Sequence, residues 1–491
     1  MIRKAIPVLL VATAALAQQI PDRPEKLSFS PIKFDTPRVK DYKAKLKNGI
    51  PVYVAPNGKE GTPLVRVTVS WRGGSYMDPK GKEGLAAIYG AQLAQGGTAK
   101  LDASQLEDRL ESLAATLTSA CTDTSCNVSL TVLDKDLSEG LDLMMQVLTQ
   151  PAFAQDRLDL AKRQGRQRIG RRNDDVLSIA GYQSRHLLFG DDHFASADDT
   201  MASLESITQG DLAAFHKRFL NPSNFFVAAA GQFDRKSMID ALDRTVGSIK
   251  AGPDAKVSPA VPAPEFQRTP GLYFVDKDGT QAAVRWAFPG IRRSDPDWYA
   301  AFVANQILGG RGFTSRLMKR IRSDEGLTYG VYSNLEPGTY WRGDVIGTMQ
   351  NKNRSVAYAL RLAMEEIKKL KDQAPSEEEM RVNKDGIIEA FPSQWGTKQA
   401  IATRFADEAR EGWPEDWWAN FREKIQAVSA ADVQRMAKQL FDVNKMVIVV
   451  VGKGDEVEPG DPDHAGALKD ATPLPYKKLP LRDPATMKPM P

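Results

Sequence analysis

Two residue types are scarce in this chain of 491 residues: cysteine, with two, and histidine, with four. So few cysteines exclude a disulfide-stapled scaffold and leave folding to hydrophobic cores. The histidines, His186, His193, His216 and His464, include no i, i+4 pair of the kind by which a helix grips zinc. A G-x-S-x-G elbow, a P-loop and a dinucleotide fingerprint are also missing, and the glycine-rich "LGGRGFTSRL" (308–317) has no Walker lysine. Nor does charge of one sign dominate. The 66 basic and 62 acidic residues leave a net charge of +4, spread along the chain, so no nucleic-acid partner is expected. No apolar run reaches the ~20 residues of a membrane span.

The chain begins "MIRKAIPVLLVATAALAQQ", with a basic pair (Arg3, Lys4), a short apolar run and Ala15-Leu16-Ala17. This is the form of a cleavable secretory signal. It predicts cleavage after Ala17 and an exported protein, periplasmic or secreted. Both cysteines lie in "LTSACTDTSCNVSLTVL" (117–133), where alternating residues flank a polar centre and predict a β-hairpin. Cys121 and Cys126 then face each other across the turn, placed for a disulfide in an oxidising compartment.

Much of the sequence is written twice. "SITQGDLAAFHKRFLNPSNFFVAAAGQFD" starts near residue 206 and "AVSAADVQRMAKQLFDVNKMVIVVVGKGD" near 427. In each, a cap residue (Thr208, Ser429) precedes an aspartate by three positions (Asp211, Asp432), then come an amphipathic helix, an Asn-containing turn and an apolar strand ending at Gly231 or Gly452. The offset is 221 residues for caps and glycines alike. "AAIYGAQLAQG" (86–96) likewise pairs with "AAFVANQILGG" (300–310), offset 214. This predicts a duplicated α+β unit, each copy a mostly antiparallel sheet covered by helices. The expected parts are a signal peptide (1–17), an N-terminal extension (18–40), halves at 41–252 and 266–455, a Pro-rich linker (253–265) and a Pro-rich tail (456–491), disordered or laid across the surface. His216 reads as a surface or boundary residue of its helix, and His186 and His193 flank the Asp-rich turn "HLLFGDDHF".

The stretch "GKEGLAAIYGAQLAQGGT" (81–98) reads as a short helix whose chemistry-bearing positions hold only Ala87, Gly90 and Ala91. Its bareness acquires a meaning from a resemblance. The duplicated halves, the linker and "LGGRGFTSRLMKRIRSDEGLTYGVYS" (308–333) resemble the pitrilysin/insulinase family of zinc peptidases, which includes the mitochondrial processing peptidases. In that family this helix carries an inverted zinc motif, H-x-x-E-H, and a distal glutamate completes the site. Laid on this sequence, the histidines fall at Ala87 and Ala91, the catalytic glutamate at Gly90 and the distal glutamate at about Gln167 or Arg168. None of these can serve, since alanine and glycine offer no lone pairs. The resemblance therefore implies a chain that binds no zinc and hydrolyses nothing alone.

A second family signature is present. An arginine and a tyrosine seven residues apart, Arg322 and Tyr329, match the pair with which a partner half completes the zinc site. The resemblance implies that Arg322 holds a peptide carbonyl and Tyr329 stabilises the oxyanion, in trans. Two functions follow as expectations. One is the non-catalytic subunit of an exported zinc metalloendopeptidase, paired with an H-x-x-E-H homologue that holds the zinc and acting on peptides. The other is an inert scaffold or peptide-binding homologue.

Overall fold

Strict alternation builds the first sheet. In β3 (Leu64–Arg72), Val65, Val67, Val69 and Trp71 are buried on one face, while Arg66, Thr68 and Ser70 stand on the other. Its neighbour β5 (Ser125–Leu133) repeats this, with Cys126, Val128, Leu130 and Val132 inside and Asn127, Ser129 and Thr131 outside. The computed structural model describes residues 34–58, 62–264, 269–464 and 466–491. The expected signal peptide (1–17) lies outside the described residues.

The other strands of the first half are β1 (Lys43–Lys45), β2 (Pro51–Asn57), β4 (Thr116–Cys121) and β6 (Phe225–Gln232). They form a sheet of order β1-β2-β6-β3-β5-β4, antiparallel except for the β2–β6 pair. The second half has β7 (Gly271–Asp276), β8 (Gln281–Pro289), β9 (Thr328–Glu336), β10 (Asp344–Lys352), β11 (Val447–Gly452) and β12 (Tyr476–Leu479), ordered β12-β7-β11-β8-β10-β9. The two orders match over five strands, β2-β6-β3-β5-β4 against β7-β11-β8-β10-β9. The fold is α+β with a duplicated unit, and the repeated caps are real. Thr208 with Asp211 and Ser429 with Asp432 each form a capping box, opening helices Gln209–Phe219 and Ala430–Leu440.

The halves exchange helices. Helix Val176–Phe189, from the first half, lies on β8 and β11 of the second, where Ile179, Ala180 and Tyr182 join Ala283, Ala287, Val447 and Val449 in one apolar cluster. Helix Lys398–Glu411, from the second half, lies on β2, β6 and β3 of the first. The sixth strands differ in origin. β1 immediately precedes its sheet, whereas β12 comes from the Pro-rich tail and runs parallel to β7. Beyond β12 the tail crosses to the first half, accepting hydrogen bonds from Gln183 at Pro480 O (3.1 Å), Asn173 at Arg482 O (2.9 Å) and Arg172 at Pro484 O (2.8 Å). It is thus laid across the surface. Among the described residues no helix is long and apolar enough to cross a membrane.

The cysteine hairpin forms as its alternation predicts. Cys121 and Cys126 are paired residues of β4 and β5 and are joined by a disulfide. So short a loop removes little unfolded-state entropy, so the Cys121→Ser/Cys126→Ser variant should lose only about 2 kcal/mol or less in urea unfolding. Alkylation of both thiols before reduction, read by mass spectrometry of exported protein, would contradict the bridge.

Candidate functional site

Helix Leu85–Gln95 is the one that carries the metal motif in the family resembled. Its first turn is capped from outside, since Gly84 N and Ala86 N donate to the two carboxylate oxygens of Asp78 at 2.9 and 2.8 Å. Burial pushes the Asp78 carboxyl up to about 7 against the pull of these bonds. Sequence reading passed over Asp78. Its signal was its place one short turn ahead of the helix.

The structure places Ala87 in solvent, Ala91 half-buried and Gly90 buried. Gly90 is packed on the backbone of β4. A Cβ there would lie 2.8 Å from the carbonyl carbon of Ala120 and closer still to Cys121 N. Ser119 clamps the contact, its hydroxyl donating to Gly90 O (2.5 Å) and accepting from Ala94 N (2.9 Å). The hairpin tip is gripped in turn by the loop after β3, where Ser75 N and Tyr76 N donate to Thr122 O (3.2 Å) and Asp123 O (3.1 Å). The zinc position is therefore stripped of ligands and also closed, because the space a glutamate needs at position 90 holds a strand. At the distal position Gln167 and Arg168 are exposed, and Arg168 pairs with Asp199 at 2.5 Å. These residues do not fit a zinc ion. No group of three or more metal-ligating side chains occurs among the described residues.

The duplicated position shows the same joint with different chemistry. Ser333, 214 residues after Ser119, donates its hydroxyl to Asn305 Oδ1 (2.6 Å), and Asn305 Nδ2 returns a bond to Ser333 O (2.8 Å). Asn305 stands where the first half has Ala91.

His216 corrects an expectation. It is not a surface or boundary residue but is buried, at 8 % exposure. Leu212, Phe215, His216 and Phe219 form the inward stripe of their helix, a spacing visible in the sequence. Its Nδ1 lies 3.2 Å from the Tyr89 hydroxyl of the motif helix, among the rings of Phe153 and Phe215. With no charge nearby to compensate, burial lowers its pKa to about 4. The folded state then holds this proton less tightly than the unfolded chain. The stability is fully present above pH ~6.5 and is lost as the pH falls from there towards 4. Asp78 acts oppositely over much of that range, so the effect is read by difference. Between pH 7.5 and 4.5, His216→Phe should remove roughly 2–3 kcal/mol of acid-induced loss in urea unfolding, relative to the parent chain. Equal losses in both proteins would refute this assignment. His186 is also buried, with Nδ1 2.7 Å from Asp191 Oδ1, and His193 packs on Phe194 and Trp341.

The second-half signature is assembled and open. Residues Met318–Asp324 wind as a π-helix, a local widening frequent at functional sites, and carry Arg322 on their last turn. Tyr329 lies at the start of edge strand β9, 86 % exposed. The Arg322 guanidinium stacks between two rings, 4.7 Å from the centroid of Tyr329 and 4.5 Å from that of Phe313. Phe313, itself 64 % exposed, was missed by sequence reading although it sits inside the quoted motif. The arrangement presents a permanent cation and a phenol donor side by side at the surface. What it can do chemically is hold a carbonyl and donate to an oxyanion.

Comparison with known proteins gives a consistent picture. Residues 53–181 match the family model "Insulinase (Peptidase family M16)", and residues 206–387 match "Peptidase M16 inactive domain". A relative described as "Non-peptidase homolog YmxG", from Helicobacter pylori, is 24 % identical over 394 residues, spanning 79 % of this chain and 89 % of that one. A peptidase M16 inactive domain from Pseudomonas fluorescens superposes with a TM-score of 0.73 at 23 % identity, covering 84 % of this chain and 97 % of that structure. The periplasmic protease PqqL from Escherichia coli superposes with a TM-score of 0.70 at 16 % identity, covering 92 % of this chain and 49 % of PqqL.

Proposed function

The chain belongs to the pitrilysin/insulinase (M16) peptidase family as an inactive member, and from that premise we propose that it is the non-catalytic subunit of an exported zinc metalloendopeptidase. Its partner is a homologue with an intact H-x-x-E-H helix, which holds the zinc. This subunit closes the peptide chamber and lends Arg322 and Tyr329 to the partner's site. The observation that carries the reading is the exposed Phe313–Arg322–Tyr329 stack. A solvated aromatic–cation sandwich contributes little to a monomer's stability, yet it is preorganised to meet a polar group from another chain. An arginine fork binds a peptide carbonyl in the ground state, while the phenol meets the charge that develops later. The start of the sequence favours export, in line with the periplasmic address of PqqL.

The second reading, an inert scaffold or peptide holder, is favoured by the name of the Helicobacter relative. Co-expression with an H-x-x-E-H homologue from the same genome, followed by co-purification and a peptide-cleavage assay, separates the two. The subunit reading expects a complex that cleaves peptides and individual chains that do not.

A further inference from the structure

The helix exchange treats the two sheets differently. Arg66 pairs with Ala230 in the first sheet, and Ala283 pairs with Val451, the duplicate of Ala230, in the second. The outer-face positions Arg66, Thr68 and Ser70 thus correspond to Ala283, Arg285 and Ala287. In the second half this face is sealed. Ala283 and Ala287 pack under Ile179 and Ala180 of the exchanged helix, and Leu479, Leu481 and Met487 of the tail close the same cluster. Among the described residues no tail segment lines the first half's face, where a groove of mixed polar and apolar lining opens between the sheet and helix Lys398–Glu411.

The groove has two connected parts of about 720 and 520 Å³ that share Arg66, Thr397 and Gln399. One wall is Thr68, Ser129 and Thr131 on the strands, the other Thr403 and Gln399 on the helix. From Leu64 to Ser70 it runs about 20 Å, the length of some six extended residues. Its lining has unused hydrogen-bonding capacity of both kinds. Thr68 and Ser129 share one hydroxyl–hydroxyl hydrogen bond (2.9 Å) and Thr131 Oγ1 accepts from Arg66 Nε (2.9 Å), so these wall hydroxyls keep lone pairs to accept with, and Thr131 keeps its O–H to donate. Alternating donors and acceptors are what a peptide backbone complements. Charge sets the polarity. At the Trp395 end the described lining residues include Arg66 and Lys398 and no acid, and neither cation forms an ion pair with a described residue, whereas Arg410 at the other end pairs with Asp407.

We propose that this groove binds an extended peptide of about six residues whose acidic end lies against Arg66 and Lys398. The inference deepens the reading of the chain as a subunit that handles peptides, and it names the class of peptide. It requires no partner subunit, so its test is separate. The full mature chain is titrated into a fluorescein-labelled eight-residue serine/glycine peptide ending in two glutamates, followed by anisotropy. The expected result is saturable binding that weakens about 10-fold in the Arg66→Gln/Lys398→Gln variant, the scale of two partly exposed ion pairs. Both sites are exposed, so an unchanged melting temperature should accompany that loss. In Arg66→Glu/Lys398→Glu the preference should pass to a peptide ending in two lysines. Absence of binding at millimolar protein, an unchanged affinity in both variants, or equally good competition by free glutamate would each overturn the proposal. So would sedimentation showing that the groove is filled by a second copy of the chain, in a dimer that the same substitutions dissociate. Failure here leaves the roles of Arg322 and Tyr329 standing, and failure of those roles leaves the groove standing.

Discussion

In the proposed complex with an H-x-x-E-H partner, Tyr329→Phe should lower kcat by about 100-fold, the usual scale for losing one oxyanion donor. Assembly and thermal stability are unchanged, because the ring is 86 % exposed and its hydroxyl carries no core contact. The stack itself survives the change, since phenylalanine still offers the face on which Arg322 rests at 4.7 Å. The loss is therefore specific to the hydroxyl. Arg322→Ala acts differently and chiefly raises KM, because a carbonyl clamp works in the ground state as well as the transition state. It also removes the bridge between Phe313 and Tyr329, so Arg322→Lys should restore the charge but only part of the effect. Steady-state kinetics of the rebuilt complex with each variant is the measurement. A complex that assembles and keeps full activity with both residues replaced would leave only the scaffold reading.

Rebuilding the zinc motif should fail, for reasons of folding as well as of chemistry. Gly90→Glu should destabilise the chain by about 3 kcal/mol or more in urea unfolding, the upper range for forcing atoms into a filled interior. The obstruction is backbone, namely Ala120 and Cys121 of β4, which cannot swing aside like a flexible side chain. Gly90→Ala should already cost about 1–3 kcal/mol. Helix propensity predicts the opposite, since alanine stabilises an unobstructed helix by ~1 kcal/mol over glycine. The sign of the Gly90→Ala effect is thus decisive. The triple variant Ala87→His/Gly90→Glu/Ala91→His should bind no stoichiometric zinc, even with a carboxylate added at Gln167 or Arg168. About one tightly held zinc per chain in that variant would show that β4 can yield.

The sequence carried much of this. The 221-residue offset between Thr208 and Ser429 announced two equivalent units, and both capping boxes and both terminal strands formed as their spacing required. Such signals are local, because caps and alternation depend on neighbours in the chain. The missing ligands were equally legible, since no fold can supply a lone pair to Ala87 or Gly90. His216 was misjudged from its polarity. The helical stripe through Leu212, Phe215 and Phe219 outweighed the imidazole's preference for water.

What the sequence determined alone was composition, repetition and the chemistry available at each position. Tertiary structure decided which surfaces those positions share. That the zinc position is closed follows from β4 lying against Gly90, a contact between residues some 30 apart that no spacing rule encodes. The exchange of helices Val176–Phe189 and Lys398–Glu411 is non-local too, and so is the open groove at Arg66 beside its sealed counterpart at Ala283. Burial is a property of what arrives from elsewhere in the chain. A tail that covers one sheet and spares its duplicate gives two similar sequences different surfaces.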